Sequence, residues 1–387
     1  MDGLQKTGLI LTGGGARAAY QVGVLKAIAE ILPRRTNNPF PVICGTSAGA
    51  FNAVTLAVYA QSFRLGTQYL EKMWKNFSAH DIYRADALGV FNNSVRWFSG
   101  LVLNALGINK LNNVSLLDST PLVELLDRAL PSEKIQENID AGVLHALSIS
   151  ASGYGSGQSV SFFQGVSGMQ PWRRARRLGV STFIEAKHIL ASSAIPFIFP
   201  AVRINREYFG DGSMRQIAPI SPALHLGATK VLVIGTGQLD GQRSARAKED
   251  DYPSLAKIAG HTLDSIFLDS LEADIERLSR INKTIALVAA DVRQHLNLQH
   301  IDLLLISPSQ SIEKIAGRHA GQLPLSIRFL LGIVGAMRRN TSNLVSYLLF
   351  EKAYCRALIE LGYQDAMNRK EELMAFLGID PEPSAAP

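Results

Sequence analysis

The feature that most constrains this chain is a local plan used twice near its start: a short apolar run, a turn of glycines and small residues, then a stretch of helical period. Residues 7–12 make the first run, Gly13, Gly14 and Gly15 the turn, and Val22, Leu25, Ile28 and Ile31 then recur at helical spacing. Residues 41–44, the turn 45–49 and the Ala-rich stretch 50–60 repeat the plan. Strands separated by helices return in the same direction, so two such units in succession predict a parallel sheet covered by helices. Further strands are expected at 145–151, 159–164, 230–235 and 301–306, with helical patterns around 116–130 and 255–281. After Pro308 the pattern is helical through 311–337, 342–361 and 364–377, before a Pro-rich tail at 380–387. The expected division is therefore an α/β domain over 1–310 and a helical C-terminal extension over 311–387.

Composition agrees with a core of that size. Of 387 residues, 47% are hydrophobic and 19% charged, which sets aside disordered and fibrous classes. A formal charge of +6 mildly favours anionic partners such as lipid headgroups or phosphates. The basic residues form no nucleic-acid motif, so no nucleic-acid partner is expected. Two cysteines far apart, Cys44 and Cys355, do not make a disulfide scaffold and suit a reducing compartment. The first residues lack a basic segment followed by a long apolar one, so no signal peptide is read and a cytoplasmic location is expected. The apolar stretch 329–337 is too short to cross a bilayer.

The first turn, Gly13-Gly14-Gly15-Ala16-Arg17-Ala18, admits three readings. Between a strand and a helix its backbone N–H groups can point at an anion. Read as G-x-G-x-x-A it is a weak dinucleotide fingerprint, with Arg34 and Arg35 where a 2′-phosphate would sit. Read as an oxyanion hole, the same N–H groups stabilise charge on a carbonyl oxygen during acyl transfer. It can also be a tight turn and nothing more.

The second turn narrows the choice. Gly45-Thr46-Ser47-Ala48-Gly49 is G-x-S-x-G between a strand and a helix, the context in which a sharp turn lifts a serine hydroxyl above the sheet. A serine needs a base. None of the eight histidines stands in a triad context, and His188 reads as a helix residue. Asp211, within Tyr208-Phe209-Gly210-Asp211-Gly212-Ser213, is a lone acid flanked by glycines, which suits either an exposed carboxylate or an ordinary Asp-Gly turn.

Together these residues resemble the patatin-like phospholipase family, whose pattern is a Gly-rich loop, then G-x-S-x-G, then D-G-G or D-G-A. The stretch His188-Ile189-Leu190-Ala191-Ser192-Ser193-Ala194-Ile195-Pro196-Phe197-Ile198-Phe199-Pro200 resembles the family's segment before its aspartate. The resemblance covers roughly 7–306. It implies an α/β three-layer sandwich with a mostly parallel central sheet, to which the C-terminal helices are added. It also implies a Ser-Asp dyad, with Ser47 as nucleophile and Asp211 as base. An oxyanion hole at Gly13, Gly14 and Gly15 with Arg17 near it belongs to the same pattern, as do the motif glycines Gly45, Gly49 and Gly212. Ala18 and Ser213 depart from the pattern, each replacing one small residue by another.

The implied activity is a lipid acyl hydrolase of the phospholipase A or lysophospholipase type, with a phospholipid or other acyl lipid as substrate and no cofactor or metal. An acyltransferase, or a non-hydrolytic lipid- or nucleotide-binding protein using the Gly-rich loop, stands as the alternative. Three segments are candidates for peripheral membrane contact. They are the apolar stretch 86–110 as a mobile cap, the basic cluster Arg173, Arg174, Arg176 and Arg177 beside Trp172, and the segment 324–339 bounded by arginines. Each also reads as ordinary packing or a solvated face.

Overall fold

In the computed structural model the described residues are 5–84, 99, 115–238, 255–289, 292, 299–333, 336 and 342–379. The six strands expected from apolar runs are all present, and four short ones join them. In chain order they are β1 (Thr7–Leu11), β2 (Val42–Thr46), β3 (Ala146–Gly153), β4 (Ser159–Gly165), β5 (Trp172–Arg174), β6 (Arg177–Ser181), β7 (Val202–Ile204), β8 (Glu207–Asp211), β9 (Lys230–Ile234) and β10 (Asp302–Ile306). They form one sheet in the order β10-β9-β1-β2-β3-β4-β6-β5, with β8 paired to β3 and β7 to β8.

The five strands β10-β9-β1-β2-β3 run parallel, as the crossover helices require. Antiparallel pairing begins at β3, which meets both β4 and β8. β3 thus has three neighbours, and β8 reaches it only at its last residues, Asp211 opposite Ala151. This late, short pairing delivers Asp211 to the ends of the parallel strands. β5 to β8 were not expected because their three to five residues carry charged and polar side chains in place of an apolar run.

Alternation along the strands sends side chains to two buried clusters. Leu9, Leu11, Ile43, Leu147 and Ile149 enter one, with α1 (Ala19–Ile31), α2 (Ala48–Val58), α3 (Phe63–Asn76) and the helix Lys352–Asn368. Ile10, Val42, Ala146, Val231 and Val233 enter the other, with Ala223 of the helix Ser221–His225 and Leu271 and Leu278 of the helix Ser270–Leu287. Helices on both faces of the sheet make the three-layer α/β sandwich.

The C-terminal helices differ in detail from the expected ones. The stretch 311–337 is broken into Ile312–His319, a 3₁₀ turn Ala320–Gln322 and Leu325–Ile333, because Pro324 lacks the N–H and disfavours a helical predecessor. Conversely, the helix Lys352–Asn368 runs straight through Gly362, where the helical pattern was expected to pause. A side chain at 362 would strike the carbonyl oxygen of Tyr20, and one at Gly23 that of Ile359. The two helices cross at van der Waals contact of their backbones, and that packing outweighs the roughly 1 kcal/mol by which glycine disfavours a helix interior. Tyr20 also donates to Asp365 across the same crossing (3.0 Å).

Of the membrane-facing candidates, 86–110 lies outside the described residues apart from Ser99. Trp172 is half-buried, with Phe163 on one face (4.9 Å) and His225 on the other (4.8 Å), so its ring belongs to the sheet edge while Arg173, Arg174 and Arg176 are exposed. The helix Leu325–Ile333 buries Ile327 and Leu331 in the core and exposes Leu325 and Phe329. Among the described residues, no helix is long and apolar enough to cross a membrane.

Candidate active site

The turn between β2 and α2 places Ser47 in a left-handed backbone conformation, φ 53° and ψ −130°. A non-glycine residue held there stores roughly 1–3 kcal/mol of strain and persists only where its surroundings insist on it. Those surroundings are close. A side chain at Gly49 would overlap the carbonyl oxygen of Leu11, and one at Gly45 would come within 2.6 Å of the Ala50 Cα. Both motif glycines therefore let α2 start directly against β1 and β2, and the sharp turn follows.

The Ser47 N–H donates to Ser192 Oγ (2.8 Å), whose own hydroxyl donates to the Ser150 carbonyl on β3 (2.6 Å). Ser47 Oγ donates to Asp211 Oδ2 at 2.6 Å, across 164 residues of sequence. The Asp211 N–H donates to the Ala194 carbonyl (2.8 Å), and its Oδ1 accepts from the Ser213 N–H (2.9 Å). The end of the helix Ala186–Ser192 and the residues after it thus brace both partners, the serine through Ser192 and the aspartate through Ala194. Gly212 sits where a side chain would overlap the Ser150 carbonyl. Gln216 bridges Thr46 (3.0 Å) and Ser150 (3.1 Å), tying the two strands beneath the pair.

Both members of the pair are 1% exposed. Burial pushes the Asp211 carboxyl up to about 6, against the opposing pull of the hydrogen bonds from Ser47 and Ser213. It is therefore ionised at neutral pH but a far better base than a surface aspartate. His188 has no such place. Its ring packs on Phe162 (4.9 Å), and its Nδ1 accepts from the Glu185 N–H (3.0 Å) at the start of its helix. Burial and the neighbouring Lys187 hold it down to about 4, so it is neutral at pH 7.

The Gly-rich turn is held from several directions. Thr236 after β9 donates to the Gly13 carbonyl (2.6 Å), and Gln21 donates to the Thr12 carbonyl (2.8 Å). Gln21 in turn accepts from Asn52 of α2 (2.9 Å), which accepts from the Trp74 indole (2.8 Å). A buried chain of side-chain hydrogen bonds therefore links the two turns. Gly15 has φ 54°, and the Tyr347 carbonyl lies where its side chain would be. Among the described residues, no acceptor takes the N–H of Gly14 or Gly15.

Arg17 departs from the expected arrangement. Its N–H is spent on the Gly14 carbonyl (3.1 Å), and its guanidinium is fully buried among Ser346, Glu313 and Asp264. Its Nε is taken by Ser346, and its two Nη groups face the carboxylates of Glu313 and Asp264. Sequence reading also passed over Ser192, Ala194, Gln216 and Thr236. Ser192 lay within a recognised stretch, but nothing local says that its hydroxyl would meet the elbow.

Beside the serine opens an apolar cleft lined by Gly15, Ser47, Phe51, Trp74, Leu122, Leu125, Ile195 and Phe199. Hydrocarbon is the chemistry such walls accept.

Over 238 residues the chain is 27% identical to a cGAMP-activated phospholipase of Pseudomonas aeruginosa, covering 59% of this chain and 61% of that protein. The chain thus spans about three fifths of that relative's length. A 57-residue stretch is 47% identical to lysophospholipase nte1 of Aspergillus terreus, 15% of this chain and 3% of that protein. Among solved structures, human GIVD cytosolic phospholipase A2 aligns at 12% identity and a TM-score of 0.40, over 97% of this chain and 59% of that one. Residues 9–224, which contain both turns, the Ser47–Asp211 pair and the bracing segment, match the profile of the patatin-like phospholipases, and the chain belongs to that family.

Proposed function

We propose that this protein is a lipid acyl hydrolase of the phospholipase A or lysophospholipase type, working through a Ser47–Asp211 dyad and an acyl-enzyme. The observation that carries the reading is the 2.6 Å hydrogen bond from a strained serine hydroxyl to a buried carboxylate beside an apolar cleft. In this reading the acyl chain occupies the cleft and presents its ester carbonyl to Ser47. The Oγ adds to the carbonyl carbon as its proton passes to Asp211 Oδ2. The negative oxygen so formed is met by the N–H groups of the Gly13, Gly14 and Gly15 turn, with the N-terminus of α2 adding a favourable field.

The tetrahedral adduct then expels the alcohol portion of the lipid, which takes the proton from Asp211 and leaves Ser47 acylated. Water attacks the acyl-enzyme, giving its proton to Asp211. Collapse releases the fatty acid, and the proton returns to Ser47 Oγ. One group serves as base and then as acid in each half, which a carboxyl near 6 does better than one near 4.

Labelling with a fluorophosphonate ester, read by intact mass, tests the assignment. The wild type is expected to take one adduct and Ser47→Ala none, with esterase turnover reduced by at least about 10³-fold. An unlabelled but folded wild type overturns it and favours a binding protein, whereas an active Ser47→Ala overturns it by placing the nucleophile elsewhere. Added alcohol acceptors sort the products: acyl transfer to them instead of to water identifies an acyltransferase.

A further inference from the structure

Arg17 is a charged side chain with no access to solvent, and the chemistry above does not use it. Its guanidinium is held by residues distant in sequence. Nε donates to Ser346 Oγ (2.7 Å), Nη1 lies 3.1 Å from Glu313, Nη2 lies 3.3 Å from Asp264, and the group stacks 4.0 Å from the centre of the Tyr347 ring. The two Nη contacts are ion pairs without hydrogen-bond alignment, so the Nε bond and the stacking give the orientation. Burial opposes the charge, and the oxygens of Tyr347, Glu313 and Asp264 outweigh it. The holders are themselves held. Tyr347 and Asn343 donate to Asp264 (2.8 and 2.5 Å), and Ser346 donates to the Asn343 carbonyl (2.5 Å).

The same two residues also back the turn. Ser346 receives the Arg17 head, while the carbonyl of Tyr347, next in sequence, fills the space where a Gly15 side chain would be. The Tyr347 ring stacks on Phe267 (5.0 Å), whose edge lies 2.9 Å from where a Gly13 side chain would stand. The helix Ser342–Leu348 therefore grips the turn at both ends, through Arg17 and Gly15 directly and through Phe267 at Gly13.

We propose that Arg17 is a positioning residue for the oxyanion loop, locked by Ser346, Tyr347, Glu313 and Asp264, so that the helices after residue 311 set the aim of the Gly14 and Gly15 N–H groups. The inference rests on the hydrolase reading. A rigid, planar guanidinium offers its Nε donor and a flat face for stacking in one fixed orientation, which a flexible ammonium does not.

The test compares Arg17→Lys and Ser346→Ala with wild type in three measurements: the rate of fluorophosphonate adduct formation at Ser47, kcat and KM for a short-chain ester, and hydrogen exchange of the 13–18 amides. Arg17→Lys is expected to slow labelling and kcat by roughly 10- to 100-fold, the scale of a misaligned oxyanion donor. KM stays within about twofold, since ground-state binding in the cleft is untouched. Ser346→Ala moves the same way by less, and the 13–18 amides exchange faster in both. Unchanged labelling and exchange in folded variants overturns the proposal, as does a lowered thermal midpoint with kcat intact, which is a merely structural role. Should Arg17→Lys fail to fold, Ser346→Ala decides alone. Should the wild type never label, the hydrolase reading fails, and exchange at 13–18 still decides whether the clamp exists: faster in Ser346→Ala sustains it, identical exchange overturns it.

Discussion

The two turns that begin α1 and α2 grow from the same local plan, yet they are held in different ways. The 45–49 elbow is set largely by itself and its neighbouring strands. Gly45 and Gly49 allow the contact of α2 with β1 and β2, and the strained Ser47 follows from that contact. The 13–18 turn instead depends on Thr236, Phe267, Ser346 and Tyr347, more than 200 residues away. A turn built on sterics of near neighbours is legible in a five-residue motif. A turn built on distant hydrogen bonds and a buried charge shows its glycines in the sequence but not what holds them.

The comparison can be broken at its strongest point first. Asp211→Asn leaves the elbow's backbone in place but removes the proposed base, and kcat is expected to fall by about 10³- to 10⁴-fold, as when a catalytic constellation loses a member. In the wild type, kcat/KM should rise with pH through about 6, where Asp211 loses its proton. The same group acts on stability with a definite sign. Its folded value lies above that of the unfolded chain, so the folded state binds the extra proton and stability falls as pH rises from about 4 to about 6. Asp211→Asn should lack that slope in a pH series of thermal midpoints, and a retained slope would assign it elsewhere.

Gly49→Ala tests whether the elbow is built by local sterics. Its new methyl group would overlap the Leu11 carbonyl, and a destabilisation of about 1–3 kcal/mol in a denaturant titration is expected for that overpacking. A neutral result would mean that α2 can shift away from β1, and that the elbow is less self-determined than its contacts indicate. The smallest effect tests the other turn. Thr236→Val removes the hydrogen bond to the Gly13 carbonyl, and a kcat loss of about tenfold with a stability loss of about 1 kcal/mol is expected. A stability loss with kcat unchanged would place the control of the turn in Arg17 and Tyr347 alone.

Legibility followed the range of the forces involved. The six expected strands were readable because apolar runs bounded by turns are a local signal, whereas β5 to β8 mix charged and polar residues into three to five positions and were not. Gly362 shows the opposite case: local propensity argued for a pause, and a backbone contact with Tyr20 overruled it. In the site, Ser47 and Asp211 stood out by motif, but their 2.6 Å contact depends on β8 pairing with the end of β3, a register that no local pattern specifies. Arg17 was expected beside the glycines because the family resemblance implies it there. Its side chain turns instead to Glu313, Asp264 and Ser346, since a buried guanidinium goes where its charge is compensated.

By itself, then, the sequence determined the strand-turn-helix units, the parallel core of the sheet and the small residues that a sharp turn and a close strand-helix contact demand. Each shows in the sequence as a pattern of residue types within a few positions. Only the tertiary structure decided which carboxylate meets the serine, which hydroxyls brace the elbow and which distant helix holds the Gly-rich turn. Those are pairings across 145 to 329 residues, and the physical reason is that hydrogen bonds and ion pairs act over a few ångströms of space, which only the order of strands and the crossing of helices convert into neighbours.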